Sequence, residues 1–376
     1  MRRSQSIRTP SASAGPTPNY TQCSDRSLAL PVRIEARAFT LVEMMVVVAI
    51  IALLLAALLP AFSAVKTQAK YAQANAQFKA LDTGINAFRA EAALGGSLPP
   101  SSGDDPTPAN RQKIADPKGD NATTMRRIAG AHLLVQAMIG ADGLGTPGFR
   151  DINQNGKWSD DTHKNFDADS KKAGIYAIVE SGDTEGKEKF PRYGGAGYVD
   201  EKMKERAETL QDLINEGKLL NPPTSADIAV NERMFMDPWD HPILYYKASP
   251  TNLRMTAKTD DSPPKPGIYW QEDNGIITGT DKGLFSDDGL DFGQGKDGNY
   301  YHHIAVAISP EPKEKVEDIQ SVKDDYKYSF ARFILDGSVK ARPTPVQKDS
   351  YLLISAGPDS RYGTDDDVTN WTRKTD

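Results

Sequence analysis

The chain has 376 residues, of which 38% are hydrophobic and 26% are charged, and its formal net charge at pH 7 is −6. That length is sufficient for one large domain or two ordinary ones. Six arginines and two acidic residues give the first 38 residues a charge of +4, which leaves −10 for the rest. So acidic a body argues against binding to nucleic acid, which requires basic surfaces.

An uninterrupted apolar run occupies residues 44–62, where 19 consecutive positions are uncharged. A helix of this length is about 28 Å long, which matches the hydrocarbon core of a bilayer. Because the preceding segment is basic, we predict a single-pass anchor with a cytoplasmic N-terminus and an exported body. The only cysteine, Cys23, lies before the run, so the exported body has no cysteine for a disulfide.

The helical pattern of this run continues to about residue 93 and ends before Gly95-Gly96. Pro60 removes one backbone hydrogen bond from this helix, and we expect a kink or local melting there. Beyond the run, a single apolar stripe recurs at spacings of three and four residues: Phe78, Leu81, Ile85 and Phe88. We therefore predict one helix whose first half lies in lipid and whose second half packs on a globular body.

The rest of the chain predicts two shorter helices, over 123–140 and 200–217. Short runs rich in aromatic and β-branched residues then predict strands at 241–248, 254–259, 267–273, 300–310, 328–335 and 350–357. The predicted fold class is α+β, with a long N-terminal helix packed on a C-terminal antiparallel sheet and an inserted helical region between them.

The sequence F-T-L-V-E at 39–43 resembles the start of the mature chain in type IV pilins and type II secretion pseudopilins. In that family a prepilin peptidase removes a basic leader, and the new N-terminus is methylated. The resemblance implies a cut between Ala38 and Phe39, and Pro60 falls at the family's helix-kink proline. Ala38 departs from the usual glycine, and the leader is longer than usual.

Glu43 is the one carboxylate within this apolar segment, and a lone carboxylate there costs roughly 2–3 kcal/mol. In a helical filament, Glu43 of one subunit is expected to neutralise the new ammonium group of Phe39 in a neighbour. The resemblance thus makes Phe39, Glu43 and Pro60 the assembly residues. The alternative is a plain signal anchor with an incidental glutamate.

Two further motifs resemble major pseudopilins. The stretch 236–248 is similar to D-P-W-x-x-P-Y-x-Y, with Asp240-His241 in place of Gly-Asn, which predicts a looser turn. The stretch 352–371 is similar to the C-terminal calcium loop of the family. Calcium takes six to eight oxygen ligands.

By position, we expect Asp359 and Asp366 to bind calcium, then Asp367, with Asp365 facing solvent. Backbone carbonyls near 355–357 are expected to complete the ligand set. A solvated acidic turn is the alternative.

Two other acidic stretches are secondary candidates. Residues 151–162 are similar to an EF-hand loop and offer Asp151, Asn153 and Asn155 to a second calcium ion. Thr162 stands where that loop needs a bidentate glutamate, so a turn rich in Asp and Asn is the alternative. The stretch 286–299 is a further candidate of this kind. The sequence contains no nucleophile–base pair that spacing specifies, so no catalytic residue is predicted.

The resemblance implies four regions: a cleaved cytoplasmic leader over 1–38, a long helix over 39–96 that is transmembrane over about 39–62, an inserted region over 97–232, and a pseudopilin-like β domain over 233–376. It implies a structural subunit, not an enzyme, of a type II secretion pseudopilus in the bacterial inner membrane, which helps to export proteins across the outer membrane.

The implied partners are other copies of the chain, prepilin peptidase, the assembly platform with its secretion ATPase, and other pseudopilins. The alternatives are a type IV pilin-like subunit for adhesion or motility, and a membrane-anchored, exported calcium-binding module.

Overall fold

A computed structural model describes residues 40–90, 96–102, 113–115, 125–139, 198–219, 230, 232–259, 261–279, 290, 302–305, 310–314, 316 and 329–372. At 57–61, 113–115 and 125–126 it describes the backbone alone. The predicted leader, the Ala38–Phe39 cut site and the loop 151–162 lie outside the described residues.

The chain divides into two compact units, Met1–Ala61 and Phe62–Asp376. Helix α1, Leu41–Ala90, confirms the predicted long helix. It is helical through Pro60, so the local melting predicted there does not occur in α1. Between Leu41 and Ala56, the apolar side chains of α1 are exposed all around the helix. Among the residues whose side chains are described, no helix combines the length and the hydropathy needed to cross a membrane.

In the second unit, α1 buries one stripe of side chains at spacings of three and four residues. The predicted residues Phe78, Leu81, Ile85 and Phe88 are all buried in it. Burying each of these side chains contributes about 1.5–3 kcal/mol. The stripe therefore accounts for how the second part of α1 is held to the body.

The other elements of this unit follow in chain order: β1 (Lys113–Ala115), β2 (Met125–Arg127), α2 (Gly130–Ile139), α3 (Glu201–Glu205), β3 (Ala207–Thr209), α4 (Leu210–Asn215), β4 (Arg233–Phe235), β5 (Leu244–Lys247), β6 (Arg254–Thr256), β7 (Gly267–Tyr269), α5 (Gly275–Thr278), α6 (Phe330–Phe333), β8 (Tyr351–Ser355) and β9 (Val368–Thr369). Three short 3₁₀ helices lie among them, at Gln271–Asn274, His303–Ala305 and Gly357–Asp359.

The centre of the body is an antiparallel sheet in the order β5-β8-β9, which confirms the predicted strands at 241–248 and 350–357. Alternate residues of a strand point to opposite faces. Tyr245 and Leu353 join the apolar cluster that contains the α1 stripe and α2, whereas Leu244 and Ile354 join a second cluster on the other face. Both faces of the sheet are therefore covered.

The prediction of a single helix over 200–217 is wrong in the middle of that range. The chain forms α3, then β3, which pairs with β4, and only then α4. Thr209 begins α4 with a capping box, in which its side chain and the carboxylate of Asp212 each accept from the other residue's backbone N–H. A strand pairing and a new helix cap thus interrupt a segment whose composition suits one helix.

Other predicted elements also changed type. The prediction of a strand at 328–335 is wrong, because 330–333 is the helix α6. The Ser329 hydroxyl caps this helix and accepts from the Arg332 amide at 3.1 Å. Residues 303–305 are a 3₁₀ helix and not a strand. Strand β6 pairs with β7 in parallel, although an antiparallel arrangement was expected. The predicted helix 123–140 is β2 followed by α2.

Four consecutive polar residues at 271–274 are buried, and they connect the inserted region and residues 304–305 to the sheet. Gln271 donates to the carbonyls of Ile304 and Ala305 at 2.8 and 2.5 Å. Asp273 accepts from the Ser101 hydroxyl at 2.5 Å. Asn274 accepts from the Ala131 amide at 2.9 Å and donates to the Tyr245 carbonyl at 2.7 Å. We name residues 271–274 the polar hub.

The start of α2 passes so close to β5 that only glycine fits there. A Cβ atom at Gly130 would lie 2.3 Å from the Tyr245 carbonyl oxygen and 3.2 Å from that of Ser101. We expect Gly130→Ala to lower the free energy of unfolding by roughly 1–3 kcal/mol, because the backbone has to shift.

Gly337 is the matched control, since no atom lies within 4 Å of its Cβ position. We expect Gly337→Ala to change the free energy of unfolding by less than about 0.5 kcal/mol. Urea titration in detergent micelles, followed by tryptophan fluorescence, measures both. Equal effects of the two substitutions would contradict the close approach of α2 and β5.

Candidate functional site

The start of α1 is a reciprocal capping box between Thr40 and Glu43. The Thr40 amide and hydroxyl donate to Glu43 Oε2 at 2.9 and 3.0 Å. In return, the Glu43 amide donates to Thr40 Oγ1 at 3.2 Å. These bonds satisfy backbone donors that the first turn of a helix otherwise leaves unpaired.

The capping box gives Glu43 a role within its own chain that the sequence analysis did not foresee. The signal was present, because T-x-x-E is the pattern of this motif. Both hydrogen bonds from Thr40 use Oε2, so they orient the carboxylate while occupying one of its two oxygens. The expected pairing with Phe39 of a neighbour stays a prediction, since Phe39 lies outside the described residues.

A second candidate site lies in the C-terminal loop, between β8 and β9. The structure brings together three of the predicted ligands, Asp359, Asp366 and Asp367, with one carboxylate oxygen of each within 4.8 Å of the others. Asp365 is exposed, as predicted. A set of hard carboxylate oxygens at this spacing is the donor chemistry that Ca²⁺ prefers.

Hydrogen bonds within the loop hold these carboxylates in place. Asp366 Oδ2 accepts from the Asp359 amide at 3.1 Å. Asp367 Oδ2 accepts from the Gly363 amide at 2.7 Å. The Thr364 hydroxyl lies 2.5 Å from Asp366 Oδ1 and 3.0 Å from Asp367 Oδ1. Backbone amides and one hydroxyl group therefore orient the three carboxylates.

The backbone of the loop requires glycine where β8 ends. Gly357 has φ of 63°, and a Cβ atom there would lie 2.5 Å from the Asp366 carbonyl oxygen. Ser360 also adopts a left-handed φ, of 66°. This close approach brings the segment of Asp359 against the segment of Asp366.

The carboxylates of this loop repel one another. Burial raises the pKa of Asp367 well above its usual value, and the charges of Asp359 and Asp366 raise it further, against the hydrogen bonds from Gly363 and Thr364. Desolvation likewise raises the pKa of Asp359, and so does the charge of Asp366. A bound cation would relieve this repulsion, so the charges of the loop fit a metal ion as well as its geometry does.

The D-P-W turn is closed, which corrects the looser turn expected from Asp240-His241. The Asp237 amide donates to the His241 carbonyl at 2.8 Å, and Asp240 supplies the left-handed residue with φ of 67°. Asp tolerates this conformation better than most residues. Arg206 fixes the turn from outside, since its guanidinium donates to the Asp237 carbonyl and lies 3.6 Å from Asp240 Oδ1.

The fully buried Asp237 carboxylate connects this turn to the C-terminal loop. Its Oδ1 accepts from the amides of Trp239 and His241 at 2.8 and 2.9 Å. Its Oδ2 accepts from the hydroxyl of Ser355, the last residue of β8, at 2.6 Å. Asp237 therefore has a structural role in this turn.

The side chain of Tyr71 brings α1 into contact with this region. The Tyr71 ring meets the Trp239 ring edge-on, with centroids 5.0 Å apart. The Tyr71 hydroxyl donates to the Asp366 carbonyl at 3.4 Å. Sequence analysis missed Tyr71, because its contacts lie far away in the chain.

Two of the buried histidines, His132 and His302, contact backbone groups. Burial lowers the pKa of His132 to about 3, and its Nδ1 accepts from the Ala129 amide at 3.1 Å. Burial also lowers the pKa of His302 to about 4. The His302 ring lies between the Leu290 carbonyl, 2.9 Å from Nε2, and the Tyr362 amide, 3.3 Å from Nδ1. Both rings are thus neutral at pH 7 and held by backbone groups.

Comparison with known proteins identifies one segment of the chain. Residues 35–59 match the family described as the prokaryotic N-terminal methylation motif. No curated protein and no solved structure gives a significant match. The matched segment contains the capping box and most of the apolar run. The chain thus carries a type IV pilin-like prepilin signal, which implies processing by prepilin peptidase, a membrane anchor and assembly into filaments with other pilins.

Proposed function

We propose that the chain is a structural, self-assembling subunit of a type II secretion pseudopilus, which helps to export proteins across the outer membrane of a bacterium. The observation that carries the proposal is the prepilin signal at 35–59, within which Glu43 is held at the start of α1. The similarity of 236–248 and 352–371 to pseudopilin motifs favours secretion over a surface pilus. The closed D-P-W turn and the clustered aspartates support that similarity.

In the proposed mechanism, prepilin peptidase cuts before Phe39 and leaves an ammonium group four residues from Glu43. The Glu43 carboxylate, oriented through Oε2 by Thr40, then neutralises the ammonium group of the next subunit. An unpaired carboxylate in lipid costs roughly 2–3 kcal/mol, so each added subunit removes an unfavourable charge. Apolar side chains exposed along the first part of α1 pack together in the same step.

Two substitutions separate the charge of Glu43 from its capping role. Glu43→Gln retains a capping group at this position but removes the charge. Thr40→Val retains the charge but removes the cap, at a cost of about 1 kcal/mol. We expect Glu43→Gln to reduce cross-linked multimers at least about tenfold, and Thr40→Val to reduce them only a few-fold, in line with that cost.

The measurement uses cells in which the variant is the only copy, with the amount of membrane-inserted chain as the control. Wild-type assembly by Glu43→Gln would contradict the charge pairing. An equal loss in both variants would make helix capping the dominant role of Glu43.

A type IV pilin-like subunit for adhesion or motility is the second candidate, and it uses the same signal. Purification of the chain from its own membranes separates the two functions. The secretion proposal predicts co-purification with components of a secretion platform, and loss of exported protein from the medium when the gene is deleted. Unchanged export together with loss of surface fibres would favour the pilus.

We further propose that the C-terminal loop binds calcium through Asp359, Asp366 and Asp367. Support comes from the grouping of their oxygens and from the repulsion that raises the pKa values of Asp359 and Asp367. When bound, the ion would supply positive charge between these carboxylates. Because the second unit contains no cysteine, an ion would connect the two ends of the loop in place of a disulfide.

Calcium titration of the full chain in detergent micelles tests this second proposal. We expect Asp367→Asn to weaken binding at least about tenfold, since it removes a buried charged ligand without changing the size of the side chain. The exposed neighbour Asp365→Asn is the matched control and should stay within about threefold of the wild type. The thermal midpoint in a chelator checks that each variant folds. Absence of binding by the wild type, or equal binding by both variants, would exclude this site.

A further inference from the structure

Residues 62–70 of α1 are exposed on every face of the helix. Burial against the body begins only at Tyr71, which is half-buried, and at Ala74, which is fully buried. The nine helical steps from Phe62 to Tyr71 span about 13 Å at 1.5 Å per residue. A stretch of helix whose residues are all exposed thus lies between the end of the apolar run and the first position that is buried against the body.

Charge in this stretch has a single sign. Lys66 and Lys70 are its only charged residues, and no acidic residue occurs between Glu43 and Asp82. Residues four apart lie on one side of a helix, so Lys66, Lys70 and the buried Ala74 share a side. The two lysines therefore lie on the side of α1 that faces the body, which leaves the uncharged opposite side for packing against another helix.

Both ammonium groups lie over aromatic rings. Lys66 Nζ is 5.1 Å from the ring centroid of Phe62, one turn nearer to the apolar run, and Lys70 Nζ is 5.9 Å from that of Trp239. Helical side chains lean toward the N-terminus of their helix. Lys66 accordingly extends back over the last aromatic residue of the apolar run, as lysines do where a helix leaves a bilayer.

We propose that residues 62–70 form a headgroup collar, in which Lys66 and Lys70 bind the phosphates of anionic phospholipids where α1 leaves the membrane. This inference rests on the proposed membrane anchor at 44–62. The interfacial layer of one leaflet is about 5–8 Å thick. Lys66 lies about 6 Å along the helix from Phe62, within that layer. Lys70 lies about 12 Å from Phe62, beyond the layer, so that it contacts the phosphates only through its long side chain, which leans toward the N-terminus of α1.

The charge of the body makes this attraction useful. The residues after 38 carry −10 overall, so an anionic membrane surface repels the body as a whole. Two lysines directly above the apolar run counter this repulsion where α1 enters the lipid. The collar thereby sets the depth of α1 in the membrane before the subunit is extracted into a filament.

Amine labelling of the full chain in lipid nanodiscs tests the collar. Lys79 is the internal control, because it is an exposed lysine on the same helix, beside the body. A water-soluble amine reagent is applied to discs of phosphatidylcholine alone and to discs with about 30% phosphatidylglycerol. Mass spectrometry then gives the labelling rate of each lysine. We expect the rates of Lys66 and Lys70 to fall at least about fivefold in the anionic discs, with Lys79 unchanged.

Three results would overturn the collar. Equal labelling of Lys66 and Lys79 in both lipids would show that no phosphate contacts Lys66. Protection that appears only when a disc holds two copies would assign the segment to a second chain. The third result concerns the protection of Lys70. If this protection is kept in Lys66→Gln but lost in the double variant Lys66→Gln/Lys79→Gln, the lipid contact lies at Lys79.

A chain that fails to co-purify with discs would contradict the proposed anchor, a separate failure from that of the collar.

Discussion

The fold of the body depends on the packing of α2 and the central sheet against the apolar stripe of α1. Phe78, Leu81, Ile85 and Phe88 lie in one cluster with α2 and with alternate residues of the central sheet, whose other face carries the second cluster. Between Leu41 and Ala56 the same helix buries no such stripe, and its apolar side chains there are exposed all around. One helix thus combines a part that is apolar on all sides with a part that is apolar on one side only. Glu43 is the only charge in the first of these parts.

Local patterns predicted α1, because its apolar residues have a strong helical periodicity. They predicted β5 and β8, because both faces of the sheet are apolar. They failed at α6, where the aromatic residues of 328–335 suggested a strand but Ser329 caps a helix. They also missed the polar hub. The strand predicted over 267–273 is wrong beyond Tyr269, because Gln271–Asn274 is a 3₁₀ helix. Only the positions of Ser101, Ala131 and Ile304 explain why its polar residues are buried. Such partners are distant in the chain, so no local pattern encodes them.

The two candidate sites were predictable to different degrees. A short motif identified the aspartates of the C-terminal loop, and the structure places three of them together. The motif did not reveal that Asp237 and Ser355 join this loop to the D-P-W turn. Nor did it reveal that Tyr71 brings α1 into contact with the loop. At the other end, the T-x-x-E pattern was readable, yet Glu43 was interpreted only through its expected partner in a neighbour. The structure shows that one oxygen of Glu43 already has a partner in its own chain.

The central claim is that this chain is processed before Phe39 and assembled through the new N-terminus. The most direct test is the intact mass, with N-terminal sequencing, of the protein purified from its own membranes. The account predicts a chain that begins at Phe39 and carries a methyl group on its α-amino nitrogen. A chain that retains residues before Phe39 would contradict the account, because Glu43 would then have no ammonium group to neutralise and would serve only as the cap of α1.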